Sequence, residues 1–594
     1  MGSSLDLVIV GIYMIVLVAI GMVFGKLVKS GSDYFKAGAK GSWWMVGASM
    51  FMSGISAWTF VGNASGVFRA GWSLLAIYLA NVLGFILAAF FLAAWYRQMR
   101  VITYAETIHE RFGKSAEQIV AHLLVLNGFM WAGVGLYTLC VFVTPLIPGV
   151  PIEGLILGIG FVVVLYCTVG GNWAVMANDF VQGIILIIVT TIVTVLCFVN
   201  AGGIGAFFDA VANSSAAQEL QMITPLPLDA PAGASLWGKY ANYGLAWCIV
   251  IFINQLFNQS SLFQGVRYFS AKDGREARKA SIFAGILMTF GLIVFFVPPI
   301  YARVFLESEV LAMHEVPKKA AEFAYSIASQ KVLPNGTFSI MIVAIFAAAI
   351  STLDTGLNRN AALIIRDLLP AHRKVWRLKP INPAHEVKLG KLTTVLAGFV
   401  VMGVAIFYAN VKNTSLFDFM LKTIIGQLMT PQFVPLILFL FIRKVPRWAI
   451  FSSLIGGYLP SVVLLILNVV GEPVVLSSHL TMALVMGCGT IGYLLAIPFW
   501  SKTSAEEKEA TRVFYEKMGK PIDFEKEVGE GNDSFQLIMI GRFALVLGLM
   551  FLLLLFPVDS AAGRYVVLTI SGVVGGVGLM MYLSGKRIER KSEG

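Results

Sequence analysis

The chain has 594 residues, of which 58% are hydrophobic and 13% charged, with a formal net charge of +11 and a mean hydropathy of +0.80. That composition excludes a soluble globular domain and describes a protein that crosses a bilayer many times. The basic excess gathers in loops on one side of the predicted spans, so it reports orientation and not nucleic-acid binding.

The first apolar stretch, Leu5 to Val23, has no basic region before it and is long enough to span. It reads as a first membrane helix and not as a signal peptide. Hydropathy then predicts about fifteen spans in all. They fall near 6–28, 43–67, 72–96, 117–145, 151–170, 177–201, 240–266, 280–305, 338–367, 389–411, 416–442, 447–470, 477–500, 537–556 and 565–584. Most of the 44 Lys and Arg lie in alternate loops, from Lys26 to Lys40, Arg97 to Lys114, Arg267 to Lys279, Arg366 to Lys391, Arg443 to Arg447, Lys502 to Arg542 and Lys586 to Lys591. The opposite loops hold Arg69, Lys239, Arg303, Lys318, Lys319, Lys331, Lys412 and Arg564. The positive-inside rule then puts the N-terminus outside and the C-terminus in the cytoplasm of a multi-pass inner-membrane protein.

Four stretches carry polar groups where lipid contact would be costly. In 43–67, Ser53, Gly54 and Ser56 sit mid-span. They predict either an unwound turn that frees backbone carbonyls or close helix packing through small residues. In Gly170 to Gln182, the two glycines and Asn172 predict a tight turn. Asp179 and Gln182 then share a face of the next span, where Asp179 serves as a cap or as an ion ligand. In 240–266, Asn254, Gln255, Asn258, Gln259 and Gln264 accompany Ser260 and Ser261, more amides than packing alone satisfies. In 338–367, Ser351, Asp354 and Thr355 share one helix face, with Thr352 a quarter turn away. Hydroxyl and carboxylate oxygens suit a hard cation such as Na⁺. Arg359 lies two turns further along and either pairs with Asp179 or Asp354 or snorkels to the cytoplasm.

The remaining features are plainer. The five cysteines, Cys140, Cys167, Cys197, Cys248 and Cys488, all lie in apolar stretches and read as packing residues. The six histidines show no HExxH spacing, so no metal-dependent enzyme is indicated. In the outer loop 306–337, Val316 to Val332 is amphipathic and predicts either a cap over an outer vestibule or an interfacial helix. The loop 501–536 is charged and too short for a catalytic domain.

Taken together, Gly170-Gly171-x-x-Ala174-Val175-x-x-x-Asp179-x-x-Gln182, Ala348-Ala349-x-Ser351-Thr352-Leu353-Asp354-Thr355, Ile55-Ser56-Ala57 with Phe60-x-Gly62, and Arg267-Tyr268-Phe269-Ser270-Ala271-Lys272 resemble motifs of the sodium/solute symporter family, the group of the sodium–glucose cotransporters. The resemblance covers roughly residues 1–500. It implies an all-α, leucine-transporter-type fold of five helices repeated in inverted orientation. The single membrane domain, 1–594, would comprise a leading helix (1–42), a first repeat (43–201), a second repeat (240–443) and peripheral helices (444–594). The first helix of each repeat would be broken.

The resemblance also implies ligands. A first Na⁺ would bind carbonyls of Met52, Ile55 and Ala348 with side chains of Ser351 and Thr352. A second would use Asp179, Ser351, Asp354 and Thr355. The acidic residue and lysine by which sugar-carrying members hold hydroxyls are Tyr78 and Met288 here, and the matching glutamine is Thr59. Solute-facing residues are expected to be Trp58, Thr59, Tyr78, Asn81, Asn254, Gln255, Phe257, Asn258 and Gln427, with Lys422 paired to Asp418 at i, i+4. Amides and aromatic rings suit a neutral polar solute such as a sugar or nucleoside. The expected function is sodium-coupled import by alternating access, by a protein working as a monomer in the bilayer. A sensor would want a signalling domain, and a channel a pore loop or a ring of charges.

Overall fold

The computed structural model describes residues 37–144, 147, 149–225, 242–379, 385–411, 414–470, 476–556 and 558–593, with a few isolated positions before residue 37. The span expected at 6–28 and most of the leading segment 1–42 lie outside the described residues. Among those described, the fold is helical throughout, with one isolated backbone bridge between Gly41 and Ala271.

The helices used below are α1 (Trp43–Gly54), α2 (Ala64–Ala70), α3 (Leu75–Leu87), α4 (Lys114–Val143), α5 (Ile152–Asn200), α6 (Leu245–Ser260), α7 (Leu262–Ser270), α8 (Gly274–Val294), α9 (Phe338–Leu363), α10 (Glu386–Ala409), α11 (Thr430–Phe441), α12 (Ala449–Val470), α13 (Ser478–Leu494), α14 (Asp533–Leu552) and α15 (Ala561–Glu593). Eleven helices among the described residues are long and apolar enough to cross a membrane, or twelve with the bent pair α6–α7 counted as one span. α1 is too short to count alone, because the chain leaves helical geometry after Gly54.

Two interruptions shape the interior. The helix of α1 stops at Gly54, and Ile55 is extended, with φ −114° and ψ 119°. A wide turn at Thr59–Asn63 then leads into α2. Small and hydroxyl residues lower the cost of this break, and irregular backbone is tolerated where it lines a cavity, as Gly54 does here. In the second case Ser261 adopts φ −75° and ψ 161°, and α6 and α7 meet at 41°. The Ser261 hydroxyl donates to the carbonyl of Asn258 at 2.8 Å, satisfying a group the break exposes.

α9 is the most enclosed long helix. It packs against α4, α5, α10 and α1, and nearly all its residues are buried. α1 and α8 approach closely at Gly47, where a Cβ would lie 2.6 Å from the carbonyl oxygen of Ala280. α14 and α15 pack through Gly541, Gly548 and Gly578 by the same device.

The turn expected at Gly170 to Asn172 lies outside the fully described residues. Asp179 lies inside the helical stretch Val175–Asn200 and caps no helix end. Residues 317–332 form short helices whose Ala324, Tyr325 and Ala328 are fully buried. They cover the core, which agrees with the capping alternative. Lys422 is exposed, and Asp418 instead takes both guanidinium nitrogens of Arg69, at 3.0 and 3.1 Å. A two-pronged arginine pair outcompetes an i, i+4 lysine on a solvated helix face.

Candidate sodium and solute sites

The motif residues converge where α1, α5, α7 and α9 meet. Met52 and Ile55 end the first half of the broken helix, and both are buried. The Ile55 N–H turns back to the carbonyls of Phe51 and Met52, at 3.1 and 3.3 Å. On α9, the Thr352 hydroxyl donates to the carbonyl of Ala348 at 3.3 Å. Ser351 Oγ is buried beside Asp179 without a hydrogen bond of good geometry. A buried oxygen short of a donor is what a small cation accepts. The residues expected for a first Na⁺ therefore lie on two packed helices, α1 and α9.

The second cation position has a tenant. Arg267, at the end of α7, reaches under the break in α1. Its Nη2 lies 3.7 Å from Asp179 Oδ2 and also donates to Thr355 Oγ1. Its Nε donates to Ser53 Oγ at 3.4 Å. Asp179 takes a further hydrogen bond from Ser49. Asp354 accepts from Asn358 Nδ2 at 2.7 Å and is close enough to Arg267 to interact electrostatically. Buried carboxylates need a positive partner, and here the chain itself supplies one. Arg359, the cation that sequence spacing singles out, sits with its guanidinium 4.3 Å from the centre of the Phe263 ring. It faces an inner cavity that Arg267, Thr355 and Asn358 also line. Its ion-pair role falls to Arg267, a residue noticed in the sequence only as part of a weaker motif.

Above this layer lies a second cavity of about 930 Å³, counting its open mouth, within the size range of small-molecule sites. Trp58, Asn81, Asn254, Gln255 and Asn258 line it, as expected. Asn63, Gln259, Gln264, Trp131 and Phe417 join them, and no charged side chain does. Gln255 Nε2 donates to Asn81 Oδ1 at 2.8 Å, and Asn258 Nδ2 donates to Gln255 Oε1 at 3.4 Å. Asn258 Oδ1 is buried with no partner. Asn254 lies at the edge, its amide donating to Thr430 Oγ1 at 2.7 Å.

Four expected residues stand elsewhere. Tyr78 is buried behind the wall, where its hydroxyl accepts from Asn63 Nδ2 at 3.2 Å, and Thr59 lies beside it. Asn63 was the residue to find; its spacing from Trp58 across the wide turn at Thr59–Asn63 hides it from an ordinary helical count. Phe257, on the side of α6 turned from Gln255, is not among the residues lining this cavity. Gln427 sits in the wide-turned stretch Met420–Met429, which presents Leu421, Ile425 and Met429 to the cavity instead. The walls Ser53, Trp131, Phe263 and Gln264 are shared between the upper and inner cavities.

Comparison with known proteins gives the family and the fold. The profile of the "Sodium:solute symporter family" matches residues 34–457. The chain is 25% identical to the sodium/glucose cotransporter 2 of Rattus norvegicus over 496 residues, 76% of this chain and 70% of that protein. It is 24% identical to the sodium/sialic acid symporter NanT of Aliivibrio fischeri over 451 residues, 74% of this chain and 84% of that one. A solved structure of a Na⁺-coupled sialic acid symporter, substrate-bound and outward-open, superposes with a TM-score of 0.67 at 19% identity, over 84% of this chain and 98% of that one. A nucleobase-cation-symport-1 family transporter superposes with a TM-score of 0.51 at 12% identity, over 82% of this chain and 99% of that one. At these identities the structural likeness shows the fold. With the profile covering most of its length, this multi-pass membrane protein is a transporter, not an enzyme, and belongs to the sodium:solute symporter family.

Proposed function

We propose that the protein imports a small polar organic solute together with Na⁺ by alternating access. The observation that carries this reading is the stacking of two sites along the broken helix α1. An amide-lined cavity lies on one side of the break, and the buried oxygens of α1 and α9 lie at it. A cation bound to Met52, Ile55, Ala348, Ser351 and Thr352 would fix the break in the geometry that also shapes the cavity through Trp58 and Ser53. Binding of each would then favour binding of the other, which is the coupling a symporter needs.

The uncharged lining supports a neutral hydroxylated solute, such as a sugar or nucleoside, over a free cation or a strong acid. Asn81, Gln255 and Asn258 form a chain of amides with one acceptor still open, and Trp58 and Phe417 offer apolar faces. One Na⁺ at the first site is the basic stoichiometry. A second Na⁺ between Asp179, Ser351, Asp354 and Thr355 requires Arg267 to withdraw. The inverted-repeat division at 43–201 and 240–443 fits the placement of the two broken helices. The gathering of basic residues in one set of loops supports a cytoplasmic inner cavity and C-terminus. The monomer contains both sites. Purified protein in liposomes, given a panel of radiolabelled solutes with and without an inward Na⁺ gradient, tests the proposal. Accumulation that is indifferent to the gradient for every solute taken up would refute it.

A further inference from the structure

The C-terminal part of the chain lies beyond the family match, which ends at residue 457, yet its helix α14 is bonded to the start of α1. Ser42 precedes α1 as its cap residue, but its side chain makes no cap bond within that helix. Its hydroxyl lies 2.9 Å from Gln536 Oε1 and 2.7 Å from Asp533 Oδ1, both on the first turn of α14. One proton cannot fully serve both acceptors, so the hydroxyl is shared between them. The Ser42 N–H also donates to Gln536 Oε1 at 3.3 Å. Gln536 Nε2 returns a hydrogen bond to the Lys40 carbonyl at 2.9 Å and another to Asn532 Oδ1 at 2.6 Å. Gln536 is completely buried, and every polar atom of its amide is engaged.

The second broken helix is held at the same place. The Gly41 N–H donates to the Ser270 carbonyl at 2.8 Å, so the start of α1 is paired with the end of α7. Lys272, two residues on, forms an ion pair with Asp533 and lies over the Phe524 ring. Asp533 and Gln536 thus span the inner ends of both broken helices and tie them to α14, which packs against α5 and α15.

We propose that Asp533 and Gln536 are gate-positioning residues. They clasp the inner ends of α1 and α7 together and hold the inner cavity shut until the transport cycle releases them. This rests on the orientation proposed above. Rocking of one helix bundle against another is how such folds alternate access, and moving the start of α1 away from α14 requires the buried Gln536 amide to give up three hydrogen bonds, two from Ser42 and one to Lys40. The Lys272–Asp533 pair is partly exposed, so it acts as the adjustable rim and the amide as the centre.

Ala362 lines the inner cavity on α9 and takes no part in the clasp, so Ala362→Cys provides a reporter. Its alkylation by a membrane-impermeant maleimide would be followed in proteoliposomes in saturating Na⁺, after subtracting the rate of the parent with its native cysteines. Lys272→Asp and Asp533→Lys should each speed alkylation from the cytoplasmic face roughly three- to tenfold, and Gln536→Ala at least as much. The double exchange Lys272→Asp with Asp533→Lys should return the rate to within about twofold of the parent. Restoration by the exchanged pair is something a merely destabilised protein would not show. If alkylation quickens only from the opposite face and the exchange still restores it, the orientation is wrong and the clasp stands. Unchanged rates from both faces in all three single variants, or no recovery in the exchanged pair, would overturn the clasp.

Discussion

Arg267 Nη2 stands 3.7 Å from Asp179 Oδ2, with both side chains almost wholly buried. The chain therefore places its own cation where a second sodium would otherwise be expected. Removing Asp179 by Asn leaves the guanidinium with Asp354 alone to offset its charge. Breaking a buried pair of this kind costs up to about 3–5 kcal/mol, so Asp179→Asn is expected to lower the melting temperature clearly. Arg267→Gln should have the opposite effect on ion binding. With the tethered cation gone, two carboxylates close together favour a mobile one. The Na⁺ dependence of uptake by Arg267→Gln should then steepen toward a Hill coefficient of about two, as repulsion between the carboxylates recruits a second ion. A coefficient no higher than in the wild type would show that the position takes no second sodium.

At the first site, Ser351→Ala and Thr352→Ala each remove one oxygen. A hydrogen-bond-strength interaction with a charge is worth roughly 1.5–3 kcal/mol, or about ten- to a hundredfold in affinity. The Na⁺ concentration for half-maximal uptake should rise by that order in each variant, with less effect on solute affinity at saturating Na⁺. Sodium titrations of uptake that overlay the wild type would remove both residues from the site.

Solute recognition should divide along the hydrogen bonds of α6. Asn258 has an acceptor oxygen buried without a partner at the cavity wall, so Asn258→Ala should weaken solute binding by about tenfold and leave Na⁺ binding nearly unchanged. Asn254 is bonded to Thr430, so Asn254→Ala should cost stability, about 1–3 kcal/mol for the stranded partner, more than affinity. Isothermal titration beside thermal melting separates the two outcomes. The assignment fails if the variants behave alike.

Among the short helices of 317–332, the carboxylate of Glu322 accepts from the Leu416 N–H at 2.7 Å and from the Tyr137 hydroxyl at 3.3 Å. Burial pushes its carboxyl up from 4.5 to about 7, and the Leu416 N–H, Lys319, Tyr137 and Arg69 only partly offset this. Because the folded value is raised for an acid, its stabilising contribution is full below about pH 4.5. It is lost as the pH climbs to about 7, since the unfolded chain ionises first. Glu322→Gln should remove that slope. Melting temperatures of the two proteins compared from about pH 5 to about pH 8 should converge or diverge accordingly, and parallel curves would exclude Glu322 as the source.

The sequence alone determined the membrane class, the all-helical character and the polar stretches around Gly54 and Ser261 where two helices break. Hydropathy needs only about twenty apolar residues in a row, and a cluster such as Asn254 to Gln264 cannot face lipid whatever its partners. It also brought Ser351 and Thr352 together, because they are neighbours on one helix. Tertiary structure decided what meets across helices. Arg267 lies 88 residues from Thr355, and no periodicity relates them. Asp418 chose Arg69 from 349 residues away over a lysine on its own helix. Gln536 and Ser42 are separated by 494 residues. Wide turns at Thr59–Asn63 and Met420–Met429 shift which side chains face inward, so Asn63 enters the cavity wall and Gln427 leaves it. Local spacing fixes faces of regular helices only, and partner choice for a buried charge depends on what three-dimensional packing brings within reach.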